Sequence, residues 1–473
     1  MPLMISISGI RGIVGESLTP DVVVRYASAF GEYCKTKCPD NPEVVIGRDG
    51  RTSGKLIGNI VSSTLLSCGV NVRALGVCPT PTIQLAVEHE HATGGISITA
   101  SHNPVQWNGL KFLASTGMFL NEAENREFWK IADAGAFSFA SWNSLGRHAG
   151  DDTWIRRHID LVLSLQYITP DTIRRRKFKV VADCINASGG LIVPQLLREL
   201  GCDVVEMNTD VTGIFAHTPE PIPENLGDLA RRVKAEQADL GIAVDPDGDR
   251  LVLITEEGKP YGEEYTITSV VKFVLQKETE RRTPVTGDRN AGVRRTNHKV
   301  VVNLSTTRAV EDIAHDYGAD LIRTPVGEIN VAQRMKETGA VIGGEGSGGV
   351  ILPALHLGRD AMVGIPLILQ LLAESGKKLS ELKSSLPLYS IEKGKVQLSG
   401  SSPDKILEKI KSTFEPGGKI NMDDGLRIDF PEYWVHLRKS NTEPIIRIIA
   451  EARTPSAAAE AVERWRQRIL SFA

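Results

Sequence analysis

The chain has 473 residues, 41% hydrophobic and 24% charged, a balance that excludes a short disulfide scaffold, a disordered tail and a membrane bundle. Its 55 basic and 58 acidic side chains nearly cancel, so no broad basic field attracts nucleic acid or anionic lipid, and any phosphate binding must be local. The opening MPLMISISGIRG lacks the basic and apolar regions of a signal peptide, and no apolar run reaches a membrane span, so the expectation is a cytoplasmic protein with no membrane or nucleic-acid partner.

In chain order, EVVIG (43–47), an apolar-periodic stretch at 53–68, NVRAL (71–75), a second at 82–89 and GISIT (95–99) read as strand, helix, strand, helix, strand. The rhythm returns with FKVVAD (178–183), helices near 190–200 and 226–236, DVVEM (203–207) and DLGIAVD (239–245). It returns again with HKVVVNL (298–304), helices at 308–317 and 329–338, DLIRT (320–324) and AVIGG (340–344). Three tandem doubly wound α/β domains of similar topology follow, each a parallel or mostly parallel sheet that binds ligands at the carboxyl ends of its strands. From about Leu386 the pattern changes to KVQLS, GLRIDF, YWVHLR and IIRIIAEA with helices at 404–414 and 456–471, a smaller C-terminal α+β domain. Linkers are expected near 146–154, 256–262 and 376–387. Six cysteines (Cys34, Cys38, Cys68, Cys78, Cys184, Cys202) form no CxxC pair and read as buried reduced thiols rather than zinc ligands.

The loops after the third strand of each unit are therefore the places to search for chemistry. In the first, TASHNP (99–104) places Ser101 at a strand tip, with His102 and Lys111 near enough to handle protons. Alone, such a serine reads more readily as a turn cap than as a nucleophile. In the second, DPDGDR sets Asp245, Asp247 and Asp249 at alternate positions. Three carboxylates so close repel unless a cation neutralises them, and hard oxygens suit Mg²⁺; a solvated acidic turn is the competing explanation. A calcium loop of the EF-hand kind is excluded, because Arg250 stands where that loop needs glycine and the flanks are strands. In the third, GEGSGG (344–349) offers Glu345 and Ser347 as acceptor and donor for sugar hydroxyls. In the tail, RKSNTEP (438–444) gathers Arg438, hydroxyls and loop amides, with Arg447 close behind. That set is a phosphate cradle, or equally a charged surface hairpin.

TASHNP, DPDGDR, GEGSGG and RKSNTEP together resemble the four signature loops of the α-D-phosphohexomutases, in order and over essentially the whole chain. The resemblance implies a heart-shaped, four-domain enzyme: residues 1–150 with the phosphoserine loop, 151–257 with the metal loop, 258–376 with the sugar loop and 386–473 with the phosphate loop. It implies that Ser101 carries a phosphoryl group at rest and, with Asp245, Asp247 and Asp249, holds Mg²⁺. Lys111 and Arg11 match the residues of general acid/base work, supported by His102 and Arg250. Glu345 and Ser347 match the pair that reads sugar hydroxyls, and Arg438, Ser440, Asn441 and Thr442 the clamp on the non-reacting phosphate. Arg447 is added from proximity alone.

The implied reaction interconverts hexose 6-phosphate and hexose 1-phosphate through a hexose 1,6-bisphosphate, which also primes the enzyme, in a monomer or homodimer. GEGSGG with TPVGEINVAQRM looks closest to the archaeal-type phosphoglucosamine mutases. Gly348-Gly349 stand where the bacterial patterns have Gly-His, and Glu328 where they tend to have His or Asp. An acidic Glu328 favours a 2-amino sugar on charge, which makes glucosamine phosphate the expected substrate and the phosphomannomutase/phosphoglucomutase substrates the alternative. A metal-dependent sugar phosphatase and a non-catalytic sugar-phosphate sensor remain as readings from other classes.

Overall fold

The computed structural model describes residues 3–282, 297–398, 402–413, 417–439 and 445–472. They fall into two compact units, one of Met1–Thr266 with Gly348–Lys383, the other of Ile267–Ser347 with Ser384–Ala473.

The first unit opens with β1 (Met4–Ser6), β2 (Gly9–Ile13), α1 (Pro20–Lys37), β3 (Glu43–Arg48), α2 (Gly54–Ser67), β4 (Asn71–Val77), α3 (Thr80–His89), β5 (Gly94–Ile98), β6 (Trp107–Ala114), α4 (Glu122–Ala134) and β7 (His148–Gly150). The strands order β1-β2-β6-β5-β3-β4-β7. β5, β3, β4 and β7 run parallel, whereas β6, β2 and β1 pair antiparallel. The mixed sheet arises because β6 folds straight back beside β5 after the serine loop, so Lys111 lies opposite Ser97. α4 starts where the Asn121 side chain accepts from the amides of Ala123 and Glu124 while Glu124 accepts from the Asn121 amide, a capping box that satisfies three orphan donors. Under the sheet, Phe30, Phe112 and Phe128 pack with centroids 5.0 and 4.5 Å apart, fixing the strand tips above them.

The same unit continues through α5 (Trp154–Leu163), α6 (Pro170–Arg174), β8 (Lys179–Asp183), α7 (Gly189–Glu199), β9 (Asp203–Met207), α8 (Gly227–Ala235), β10 (Leu240–Val244) and β11 (Leu251–Thr255). This second sheet orders β11-β10-β8-β9, parallel except for β11, which returns beside β10. The hairpin from β10 to β11 is the acidic loop.

After α9 (Glu263–Arg282), the second unit holds β12 (Lys299–Asn303), α10 (Ala309–Asp316), β13 (Asp320–Thr324), α11 (Glu328–Thr338) and β14 (Ile342–Glu345), with β12 parallel to both β13 and β14. The chain then supplies β15 (Gly349–Ile351), α12 (Ala361–Ser375) and α13 (Leu379–Ser384). The C-terminal part has β16 (Ser390–Gln397), α14 (Pro403–Ser412), β17 (Lys419–Asn421), β18 (Leu426–Asp429), β19 (Tyr433–Lys439), β20 (Ile445–Ala452) and α15 (Pro455–Leu470). Its five strands form an antiparallel sheet, β16-β20-β19-β18-β17. Alternate residues Val435, Leu437, Ile446 and Ile448 pack against Ile406, Ile410, Trp465 and Ile469 of the two helices, the period-2 pattern that made these strands legible.

Two stretches read as linkers carry structure. β7 lies within 146–154, and because it is an exposed edge strand bound by backbone alone, hydrophobic patterning is silent about it. α13 lies within 376–387, anchored by Leu379 and Leu382. All six cysteines are free thiols, four of them buried. No helix among the described residues is long and apolar enough to cross a membrane.

Candidate active site

Beyond β5 the backbone turns sharply, and Ser101 adopts a φ of 50°, left-handed and costly for a residue with a Cβ. The surroundings hold it there. The Ser101 amide donates to Thr99 Oγ1 (2.8 Å), whose hydroxyl donates to Asp49 Oδ2 (2.6 Å). Arg51, fully buried, donates through Nη2 to the carbonyls of Ser101 (2.6 Å) and Asn103 (2.7 Å), and through Nη1 to those of Pro104 (2.8 Å) and Trp107 (3.0 Å). Its Nε donates to Asp49 at 3.0 Å, and its guanidinium carbon lies 4.8 Å from the centre of the Phe215 ring. Burial pushes the Asp49 carboxyl up, opposed by Arg51. Sequence reading passed over Asp49 and Arg51. Their one signal is position, since GRDGRTSG follows the carboxyl end of β3, the edge that carries the serine loop.

Asp245, Asp247 and Asp249 are all buried, with carboxylate oxygens within 4.8 Å of one another. Gly248 makes the turn possible with a φ of 66°, and a Cβ there would lie 2.9 Å from Pro79. Each carboxylate is fastened by one oxygen. Asp245 Oδ1 accepts the amides of Asp249 and Arg250 (both 3.1 Å). Asp247 Oδ2 accepts Lys111 Nζ (2.7 Å) and Thr80 Oγ1 (3.1 Å). Asp249 Oδ2 accepts Arg359 Nη2 (2.6 Å). The second oxygens are left over: Asp245 Oδ2 lies 3.3 Å from Ser101 Oγ, while Asp247 Oδ1 and Asp249 Oδ1 are buried without a hydrogen-bond partner. Buried, unpaired carboxylate oxygens are costly unless a cation takes them. These two, with Asp245 Oδ2 and the seryl oxygen that donates to it, are a hard donor set that fits Mg²⁺.

Burial and the neighbouring Asp249 and Asp247 push Asp245 well up. Burial pushes Asp247 the same way, but Lys111 overrides it and holds this carboxyl below the ordinary range. His102 Nδ1 lies 3.2 Å from Ser101 Oγ. Burial, then the Arg250 and Arg11 charges, push the imidazole down to about 2, so it is neutral near Ser101. Arg11, lowered chiefly by burial, reaches Asn103 Oδ1 at 3.3 Å. Arg250 Nε lies 3.9 Å from Asp249.

In the second unit Glu345 is the last residue of β14 rather than a loop residue. One of its oxygens accepts Asn303 Nδ2 (2.8 Å) and the Gly327 amide (3.1 Å). Gly327, at a φ of 125°, opens α11, which places the buried Glu328 in its first turn. Ser347 is half-buried. Arg438 on β19 pairs with Asp424 at 2.9 Å, and the same Asp424 oxygen accepts the Val326 amide at 2.9 Å. One carboxylate thus ties Arg438 to the segment that presents Glu328 and contacts Glu345. Asp424 escaped sequence reading because an aspartate in the turn NMDDG is indistinguishable from ordinary turn chemistry. Arg447 lies directly opposite Arg438 across the β19–β20 ladder and is exposed. Ser440, Asn441 and Thr442 lie outside the described residues.

Behind Arg438, His436 donates from Nε2 to the Asp424 carbonyl (2.6 Å), and its Nδ1 faces Ser305 Oγ (2.9 Å). Burial depresses its pKa from 6.5 to about 4. Between those values the unfolded chain binds a proton that the folded chain refuses. Stability from His436 is therefore full above about 6.5 and is lost as pH falls toward about 4. His436→Gln should flatten the fall in urea midpoint across that window; an unchanged slope would mean that His436 does not carry it.

The chain matches the four family models described as phosphoglucomutase/phosphomannomutase, alpha/beta/alpha domains I (4–138), II (156–258) and III (287–389) and C-terminal domain (395–467). It is 38% identical to a "Phosphoglucomutase/phosphomannomutase" of Thermococcus kodakarensis over 96% of both chains. It is 35% identical to a "Probable phosphoglucosamine mutase" of Methanopyrus kandleri, over 96% of this chain and 94% of that one. A crystal structure of a phosphoglucomutase/phosphomannomutase family protein from Burkholderia thailandensis is similar at 26% identity and a TM-score of 0.83, covering 99% of this chain and 98% of the other. The chain belongs to the phosphoglucomutase/phosphomannomutase family, and is a phosphohexomutase with that family's four-domain architecture.

Proposed function

We propose that this phosphohexomutase converts glucosamine 6-phosphate to glucosamine 1-phosphate and back, through a phosphorylated Ser101 and a hexose 1,6-bisphosphate. The observation that carries the reading is Ser101 Oγ, held in a strained turn 3.3 Å from Asp245 beside two buried carboxylate oxygens that have no partner. In the forward half-reaction the bond from phosphorus to Ser101 Oγ breaks, a bond from phosphorus to the free sugar hydroxyl forms, and the hydroxyl proton passes to a nearby base. The second half-reaction returns the other phosphoryl group to Ser101, so the chain ends as it began.

Asp245, Asp247, Asp249 and Ser101 would hold Mg²⁺, which supplies neutralisation of charge on the phosphoryl oxygens. Lys111, seated on Asp247, and Arg11, its pKa lowered chiefly by burial, would be the groups that move the proton. His102, with Nδ1 3.2 Å from Ser101 Oγ, would orient it. Glu345 and Ser347 would receive the sugar hydroxyls, and Arg438, with Ser440, Asn441, Thr442 and Arg447, the non-reacting phosphate.

Glucosamine is favoured because Glu328 is a buried carboxylate two residues from Val326, on the same segment as the Glu345 contact, and a carboxylate pairs with a 2-ammonium group as it cannot with a 2-hydroxyl. The name of the Thermococcus kodakarensis relative supports a second reading, mannose or glucose phosphate. Catalytic efficiencies on glucosamine, mannose and glucose 1-phosphates, with glucose 1,6-bisphosphate as primer, separate them. Glucosamine should lead by at least about tenfold, a difference one charged pair can supply; an equal or lower value hands the assignment to the second reading. Arg438→Ala should raise KM for the hexose phosphate about 10- to 100-fold with a smaller change in kcat, as loss of a charged hydrogen bond predicts. An unaltered KM would remove Arg438 from the phosphate site.

A further inference from the structure

We infer that Arg359 is a positioning residue of the cation site: it fastens Asp249 by Oδ2, so that this carboxylate offers one oxygen to the metal and the site prefers the small ion Mg²⁺. The inference rests on the metal-assisted reading above and concerns a residue that none of the four signature loops contains.

The three carboxylates are pinned in three ways. Backbone amides hold Asp245, Lys111 with Thr80 holds Asp247, and Arg359, at 2.6 Å, supplies the hydrogen bond to Asp249 Oδ2 among the bonds described, with the Lys111 ammonium farther off at 3.6 Å from the same oxygen. A carboxylate with both oxygens free can chelate a cation with both, the mode that suits the longer bonds and higher coordination number of Ca²⁺; Mg²⁺ demands a tight octahedron of single oxygens. Pinning one oxygen therefore selects against the larger ion.

Arg359 is itself held in place. Next to it, Asp360 caps α12 by accepting the Met362 amide at 2.8 Å, and its own amide donates to the Val350 carbonyl at 2.8 Å. Its other oxygen meets His158 Nε2 at 2.8 Å and His356 Nε2 at 3.2 Å, and His158 Nδ1 faces Thr82 Oγ1 at 2.9 Å. All of these side chains are buried. The Ala361 amide donates to the Gly248 carbonyl at 3.2 Å, binding the start of α12 to the acidic loop itself.

The last glycine of GEGSGG belongs to the same device. A Cβ at Gly349 would lie 2.3 Å from Arg359 Cδ, far inside contact distance, so the absence of a side chain at 349 is what lets the Arg359 stem pass. The Gly-Gly ending that sets this chain apart from the Gly-His pattern thus makes room for Arg359.

The test titrates the dephosphorylated full chain with MgCl₂ and with CaCl₂ by calorimetry, reading the ratio of the two dissociation constants. Arg359→Met should move the ratio toward Ca²⁺ by at least about tenfold, because Asp249 Oδ2 then loses its hydrogen bond, keeps only the Lys111 charge at 3.6 Å and can turn to chelate. Arg359→Lys, which keeps a charged donor on a long stem, should stay nearer the wild-type ratio. Gly349→Ala, which keeps the arginine and adds only a methyl group, should shift the ratio the same way by about threefold as the stem is displaced, and it carries the test should Arg359→Met fail to fold. A ratio unchanged within about twofold in the folded variants overturns the inference. A wild-type chain that binds no Mg²⁺ would instead sink the metal-assisted reading on which it rests.

Discussion

Ser101→Ala is expected to lower mutase turnover by at least about 10⁴-fold, because a covalent carrier has no substitute once its oxygen is gone. The fold should survive. Among the described residues Ser101 Oγ makes two long contacts, 3.2 Å to His102 and 3.3 Å to Asp245, and alanine meets the same left-handed backbone cost that serine already meets. The urea midpoint should therefore move by no more than about 1 kcal/mol of stability. Intact mass, before and after incubation with glucose 1,6-bisphosphate, gives an independent readout: the wild type should gain one phosphoryl group and the variant none. Substantial residual turnover, or phosphate retained by the variant, would place the carrier elsewhere and remove the reason for a strained serine beside three aspartates.

Arg51→Leu should have the largest effect on stability, about 3–5 kcal/mol in chemical unfolding, the cost of stranding a buried charge by deleting its partner. The buried charge is Asp49, and the carbonyls of Ser101, Asn103, Pro104 and Trp107 would lose their common donor as well. Where the variant still folds, kcat should fall at least about 100-fold with little change in KM, since the serine loop would relax by a fraction of its length and misplace Oγ. Arg51→Lys separates charge from geometry: an ammonium can satisfy the charge of Asp49 but not five acceptors arranged around a planar fork, so it should recover most of the stability and little of the turnover. Turnover recovered in parallel with stability would reduce Arg51 to a purely structural residue.

The strands and most helices were legible because their signal is local. DVVEM, DLIRT and IIRIIAEA coincide with β9, β13 and β20 residue for residue, each an apolar run whose burial is written in its own composition. The loop motifs stood out as candidates for a different reason: Ser, Asp and Gly at fixed spacing after a strand have few explanations once several occur in series. What stayed hidden was whatever needed a partner distant in sequence. β7 has no hydrophobic pattern and exists only because β4 offers an edge. Glu345 ended in a strand, with an oxygen committed to Asn303 and Gly327, where a loop acceptor was expected. Arg359 and Asp424 gave no signal, and Arg51 only its position after β3, since an arginine or aspartate in a polar segment is ordinary until its neighbours are known.

The sequence by itself therefore determined the order of the α/β units, the change of pattern near Leu386 and the spacing that singles out Ser101 and the three aspartates as candidates, because periodicity and motif spacing are properties of the chain. Only the tertiary structure decided which oxygen of each aspartate is held and which is left over, that His102 is neutral, and that Arg51 and Arg359 fasten the serine and Asp249. Apart from Asp245, which is held by amides four and five positions on, those outcomes depend on burial and on hydrogen bonds between residues 50 to 136 positions apart, and no local pattern encodes where a distant donor will arrive.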